Sequence, residues 1–207
     1  MPSIHTATPP ESRVVIEDVL WETYEALVEQ RRGSVPRMTY DNGVLELMRP
    51  KRQHENIGRV IGRMVDTYSE VKAIEIQSVA STTFKLQSLL KGFEADESYY
   101  VTHAERIRPK EEIDLTIDPP PDLVVEVELT SSAIEKLNLF AAMRIPEVWR
   151  HDGQKLEMFR LIDGVYQSIA SSRELPGLAA DKIATFLNRR FDVGETALIH
   201  DFRQSIN

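Results

Sequence analysis

Three carboxylates, Asp122, Glu126 and Glu128, lie on a run that is otherwise apolar, Pro-Pro-Pro121 followed by Asp-Leu-Val-Val-Glu-Val-Glu-Leu129. In a strand, side chains alternate between faces, so these three acids share one face. A row of negative charge on an apolar strand costs free energy unless something positive sits against it. Two candidates are a divalent cation and Lys136, which follows the Thr130-Ser-Ser132 turn. Converging carboxylates bind a hard cation through oxygen ligands. Such a cation lowers the pKa of a bound water and neutralises charge that builds on a phosphate. Asp96 is a fourth candidate, because it opens the preceding strand and sequential strands are often neighbours. Lys136 can fold back toward the acids and steady a hydroxide or a developing phosphorane charge. The same spacing also fits an edge strand with one solvated face and a surface lysine paired with Glu135.

A second set of residues surrounds the start of a helix. Arg49, Lys51 and Arg52 precede His54 and Glu55, and Arg59 and Arg63 follow. Such a patch suits the phosphates of a nucleic acid, or it is a solvated helix entrance. His54 lies three residues before Ile57 and seven before Ile61, on the apolar stripe. There it is a satisfied structural histidine or, beside a metal, a group that orients water or contacts phosphate.

These groups need elements to position them. Ile57, Val60, Ile61, Met64, Val65 and Tyr68 make a helical stripe over 54–71. Asn42-Gly43 between short apolar runs predicts a hairpin. Strands are predicted over 73–79, 81–86, 96–102, 123–129, 148–151, 155–161 and 165–170. Ser132-Ala-Ile-Glu135 reads as a capping box that starts a helix to about residue 143. A helix is predicted from Leu20 to Glu29 and another over 178–190. Residues 1–13 read as a flexible arm, 14–195 as a single domain and 196–207 as a tail. The order of elements is that of an α/β fold bordering on α+β, with a mixed sheet.

The composition narrows the chemistry. The chain has 207 residues, of which 42% are hydrophobic and 28% charged, values of a soluble globular protein. No apolar run reaches the roughly 18 residues of a membrane span, and no secretory leader is legible. With no cysteine, disulfides and thiolate metal sites are excluded, which is compatible with a cytoplasmic location. A net charge of -8 argues against broad adhesion to nucleic acid but leaves room for a local basic groove. Gly-rich phosphate loops, paired histidines at metal spacing and nucleophilic serine elbows are absent from the sequence. A carboxylate pair acting on sugars fits poorly, because two acids on one strand are too close and too alike.

The ordered set Met38-Thr-Tyr-Asp-Asn-Gly43, His54-Glu55, Gly92-Phe-Glu-Ala-Asp96-Glu97, Pro121-Asp122-Leu-Val-Val-Glu126, Thr130-Ser-Ser, Lys136-Leu and Ile145-Pro-Glu-Val-Trp149 resembles the Uma2 family over residues 14–190. The resemblance implies a restriction endonuclease-like fold of the PD-(D/E)xK type, a central mixed β-sheet flanked by helices. It implies Asp96 and Glu126 as metal-binding acids, with Asp122 and Glu128 beside them and Mg²⁺ or Mn²⁺ as the ion. Lys136, His54 and Glu55 would complete the catalytic set, and Lys51, Arg52 and Arg59 would contact substrate. The residue two after Glu126 is glutamate where that nuclease pattern has lysine, and Lys136 would supply the ammonium from the helix. The implied partner is DNA and the implied assembly a homodimer. The alternative is a module that keeps the nuclease fold to bind nucleic acid or protein without cleaving.

Overall fold

A computed structural model describes residues 11–33 and 35–207 and sorts the strands into two sheets. Along the chain the elements are β1 (Glu11–Ile16), α1 (Trp21–Gln30), β2 (Arg37–Asp41), β3 (Val44–Pro50), α2 (Arg52–Lys72), β4 (Gln77–Ser78), β5 (Thr83–Leu86), β6 (Lys91–Glu94) and β7 (Glu97–Tyr100). They continue with α3 (Ala104–Ile107), β8 (Leu123–Val127), α4 (Lys136–Ala142), β9 (Glu147–His151), β10 (Leu156–Ile162), β11 (Val165–Ile169), α5 (Ala180–Asn188) and α6 (Glu195–Ile206). One sheet has the order β1-β3-β2-β6-β5 and is antiparallel throughout. The other has the order β11-β10-β9-β8-β7-β4, in which only β8 and β9 run parallel.

The two sheets share a boundary at two residues. β6 belongs to the first sheet and β7 to the second, and only Ala95 and Asp96 lie between them. Asp96 therefore stands where the chain changes sheets. β8 is central to the second sheet and is buried along its whole length, as its valines require. Leu123, Val125 and Val127 pack into a core with α2, α5 and α6. Val124 packs on the other face, with Phe140 and Leu139 of α4 and Phe93 of β6. Glu126 has the parity of Val124 and so faces the α4 side.

α2 forms because its apolar residues recur every three to four positions; Ile57, Val60, Ile61, Met64 and Val65 are fully buried. That stripe fixes the rotation of the helix and turns His54, in its first turn, inward. The hairpin β2–β3 closes through Asn42 and Gly43, both with positive φ (46° and 93°), the backbone a two-residue type I′ turn demands.

The structure departs from the sequence reading in several places. Residues 1–10 of the expected arm lie outside the described residues, but 11–13 are the first half of β1, paired with β3. The expected tail at 196–207 is helix α6, whose Leu198, Ile199, Phe202 and Ile206 are buried against α2 and α5. β6 was not expected as a strand at all; its Gly92 is a close-packing position rather than a turn. The helix after Thr130-Ser-Ser132 begins at Lys136, three residues later than a Ser132 cap would set it. The Ser132 hydroxyl is instead bonded to Glu46. Among the described residues no helix is long and apolar enough to cross a membrane.

Gly92 lies beneath the ring of Tyr24, and a Cβ there would come within 2.7 Å of the Tyr24 Cζ. Gly92→Ala is therefore expected to destabilise the fold by about 1–3 kcal/mol through overpacking, read from the midpoint of a urea denaturation curve.

Candidate active site

Asp96 and Glu126 stand opposite each other when the β7–β8 register is extended by one residue. Glu97 is opposite Val125 in that antiparallel register, so one further step sets Asp96 beside Glu126. The Asp96 carboxylate is held there by the backbone, because Oδ2 accepts the Val127 N–H at 2.6 Å. Its other oxygen, Oδ1, accepts from His54 Nε2 at 2.7 Å and from the Arg37 guanidinium. Arg37 comes from β2 and also donates to Glu55 at 3.0 Å, at the solvent end of the bridge. His54 is fully buried and has a second carboxylate on its other side, with Nδ1 2.7 Å from Glu11 Oε2. Each ring nitrogen thus faces an acid, one from β1 and one from the sheet boundary.

Glu126 has a different partner. Its Oε1 accepts from the ammonium of Lys136, the first residue of α4, and both side chains are buried. Its Oε2 is buried with no hydrogen-bond partner. Glu128, two residues on, accepts the Ser132 N–H at 3.2 Å. Burial raises the Glu128 carboxyl above its usual range, opposed by Lys136 and reinforced by the charge on Glu126.

The loop between β8 and α4 is tied to the first sheet. Glu11 accepts from the Thr130 N–H at 2.9 Å and from the Thr130 hydroxyl. Glu46, on β3, accepts from the Ser132 hydroxyl and from the Ala133 N–H at 2.8 Å. Arg13 lies between the two acids and donates to both. An open cleft of about 410 Å³ borders the same loop, lined by Glu128, Thr130, Ser131, Ser132, Arg150 and Asp152 among others.

The sequence-derived candidates fall into three groups. Asp96, His54, Glu55, Glu126, Glu128 and Lys136 gather around the boundary between the sheets. Asp122 does not join them. It is buried at the opposite end of β8, where it accepts the N–H groups of Val101 and His103 at 2.8 and 2.9 Å and faces His103 Nδ1 at 2.6 Å. Shared parity puts residues on one face, but four residues along a strand span about 13 Å. Asp122 therefore organises the 101–103 turn and is not part of the acid pair. The third group is the helix start: Lys51 precedes α2, while Arg52 and Arg59 are exposed two turns apart on it. The Arg59 charge is felt by Glu97 and Asp66.

Glu11, Arg13, Arg37 and Glu46 were not singled out from the sequence. A signal existed for Glu46, a lone acid in the apolar strand Val44-Leu-Glu-Leu-Met48. The other three depend on partners supplied by the fold.

The oxygen chemistry fits a hard cation in one specific way. A carboxylate offers about four lone-pair positions. Asp96 uses three on His54, Arg37 and Val127, and Glu126 keeps Oε2 open. Among the described residues no three His, Cys, Asp or Glu side chains form a ready-made metal cage. Two carboxylates with water and substrate phosphate oxygens completing the shell is the usual arrangement for Mg²⁺.

Residues 21–185 match the model of the Uma2 family, described as "Putative restriction endonuclease". The solved structure of a "putative nuclease belonging to DUF820 from Anabaena variabilis ATCC 29413" superposes with a TM-score of 0.60. It is 13% identical and covers 82% of this chain and 99% of its own, a likeness that shows a common fold. No curated protein matches the chain.

Burial would raise the Glu11 carboxyl, but hydrogen bonds from His54, Thr130 and Arg13 outweigh it and bring the pKa from 4.5 to about 2. A depressed carboxylate pKa contributes stability that is present above the unfolded value and lost as pH falls through the folded one. Here that is on the order of 3 kcal/mol, removed between about pH 4.5 and 2. Glu11→Gln is expected to lower stability at pH 7 by a similar amount and to flatten the loss across that window, checked by urea denaturation at stepped pH.

Proposed function

The chain belongs to the Uma2 family, and on that premise we propose that it is a metal-dependent endonuclease hydrolysing phosphodiester bonds of DNA. The observation that carries this reading is the buried, partnerless Oε2 of Glu126, a residue opposite Asp96 in the extended register and the one whose carboxylate Lys136 touches. A buried carboxylate oxygen without a donor is costly unless a ligand completes it.

Asp96 and Glu126 would hold Mg²⁺ or Mn²⁺. When bound, such an ion lowers the pKa of a coordinated water and neutralises charge on the phosphate. The protein groups supply the rest. His54 and Arg37 fix Asp96 Oδ1, and with it the direction of Oδ2. Lys136 spends one N–H on Glu126 and keeps two more donors, enough to orient an attacking water and bond a phosphate oxygen. Arg52 and Arg59 present positive charge on the exposed face of α2, beside Lys51, and would track the DNA backbone. Because the net charge is -8, binding would be confined to that face. Glu55 lies at its edge and would set, through Arg37, how much positive charge the face shows.

One observation favours a second reading, a module that binds without cleaving: three of the four lone-pair positions on Asp96 already hold protein donors. Nicking of supercoiled plasmid in Mg²⁺ or Mn²⁺ separates the two. The wild type is expected to nick, and Asp96→Asn, Glu126→Gln and Lys136→Met each to lose about 10²-fold or more in rate. Mn²⁺ calorimetry is expected to show heat for the wild type and none for Glu126→Gln. Equal nicking by all four proteins means contamination and ends the nuclease reading; no heat from the wild type at millimolar Mn²⁺ favours the module.

A further inference from the structure

Eight residues, 128–135, separate the end of β8 from the start of α4 and form neither helix nor strand. A loop of that length does not by itself aim a lysine at a strand it has left, since its ends can be held apart in many ways. Yet the Lys136 ammonium meets Glu126 inside the protein, with 7% of the lysine side chain exposed. The order of the loop comes from the other sheet. Glu11 holds the Thr130 N–H and hydroxyl, and Glu46 holds the Ser132 hydroxyl and the Ala133 N–H. Arg13 donates to Glu11 at 2.6 Å, to Glu46, and to the Thr130 hydroxyl at 3.0 Å, so the two acids and the loop form one connected set. Glu128 adds a tether at the strand end through the Ser132 N–H.

We propose that Glu11 and Glu46, bridged by Arg13, are positioning residues that clamp the Thr130–Ala133 loop and thereby deliver Lys136 to Glu126. The role of Lys136 in this proposal rests on the nuclease reading above. Both acids act as pure acceptors toward several donors at once, which a carboxylate can do and an amide cannot. In Glu46 both oxygens are engaged, Oε1 by Arg13 and Oε2 by Ser132 and Ala133. A glutamine there would turn its NH₂ toward Arg13 or toward the loop, donor against donor. Neither acid bonds Asp96 or Glu126 directly, but Glu11 also reaches Asp96 through His54, whereas the hydrogen bonds of Glu46 go to Arg13 and the loop, so Glu46 is the acid that isolates the contribution of the clamp.

The test uses the full chain and the variant Glu46→Gln. Its kcat for plasmid nicking is expected to fall about 10- to 100-fold, with KM and Mn²⁺ affinity by calorimetry within about twofold of wild type. In a Lys136→Met background the same substitution is expected to cost less than about twofold more, since both changes remove one function. Hydrogen exchange at the Thr130 and Ala133 amides is expected to rise at least about tenfold. Ser132→Ala, which removes one donor without adding charge imbalance, takes the place of Glu46→Gln if far-UV circular dichroism shows that variant unfolded. Wild-type kcat in the variant, a fully multiplicative loss in the Lys136→Met background, or unchanged exchange at both amides overturns the proposal. A wild type that neither nicks DNA nor binds Mn²⁺ removes the nuclease reading instead, and amide exchange then decides the clamp by itself.

Discussion

The constraint on which the molecule turns is the burial of acids where its two sheets meet. Glu11, Glu46, Glu94, Asp96 and Glu126 are each at most 8% exposed. Carboxylates at that depth are tolerated only with cations and N–H donors against them. The chain provides Arg13, Arg31, Arg37, His54 and Lys136, together with the backbone amides of Met38, Val127, Thr130 and Ala133. The donors come from both sheets, so the polar seam joins them as the apolar clusters do elsewhere. Such pairs add little net stability over a hydrophobic contact of equal size, but breaking one leaves a stranded charge that costs about 3–5 kcal/mol. The seam therefore favours one arrangement of the sheets strongly over its neighbours.

Much of this arrangement can be read from the chain, and the reasons are local. Glu126 stands out because it interrupts a valine run, and α2 because its stripe is long and regular. The Asn42-Gly43 turn follows from the left-handed backbone it must adopt. Those signals need only neighbouring residues. Glu11 bonds to a loop 119 positions away, and Glu46 to one 86 positions away. No spacing rule reaches that far. β1 carries no local signal for a related reason: Val14, Val15 and Ile16 are all exposed, so the strand lacks the alternation that marks a buried face. Asp122 shows the opposite case, since parity along a strand sets a shared face and not proximity. Ser132 has the spacing to Glu135 of a capping box, while in the fold its hydroxyl is taken by Glu46.

Glu126 and Lys136 come from different kinds of element, a central strand and a helix start. Strand geometry fixes Glu126 rigidly, since β7 and β9 flank it on both sides. Helix α4 has its own anchor in Leu139 and Phe140, buried against Phe93 and Val148. The carboxylate and the ammonium are thus set by separate packing surfaces, and only the loop between them has to be trimmed to make them meet. The fold tolerates wide sequence change on this basis: a structure 13% identical keeps the same architecture. Apolar layers can be rebuilt from many residues of similar size, whereas each charged pair needs its own complement.

The switch from one sheet to the other at Asp96 has a consequence for how the protein comes into being. The groups around that residue are drawn from β1, β2, α2, the β6–β7 junction, β8 and α4, a span from Glu11 to Lys136. Most of these contacts are between residues remote in sequence, which ordinarily form late and slowly. A growing chain on the ribosome therefore cannot close the Glu126–Lys136 pair until synthesis has passed the lysine, and a chain halted before that point leaves Glu126 without its cation.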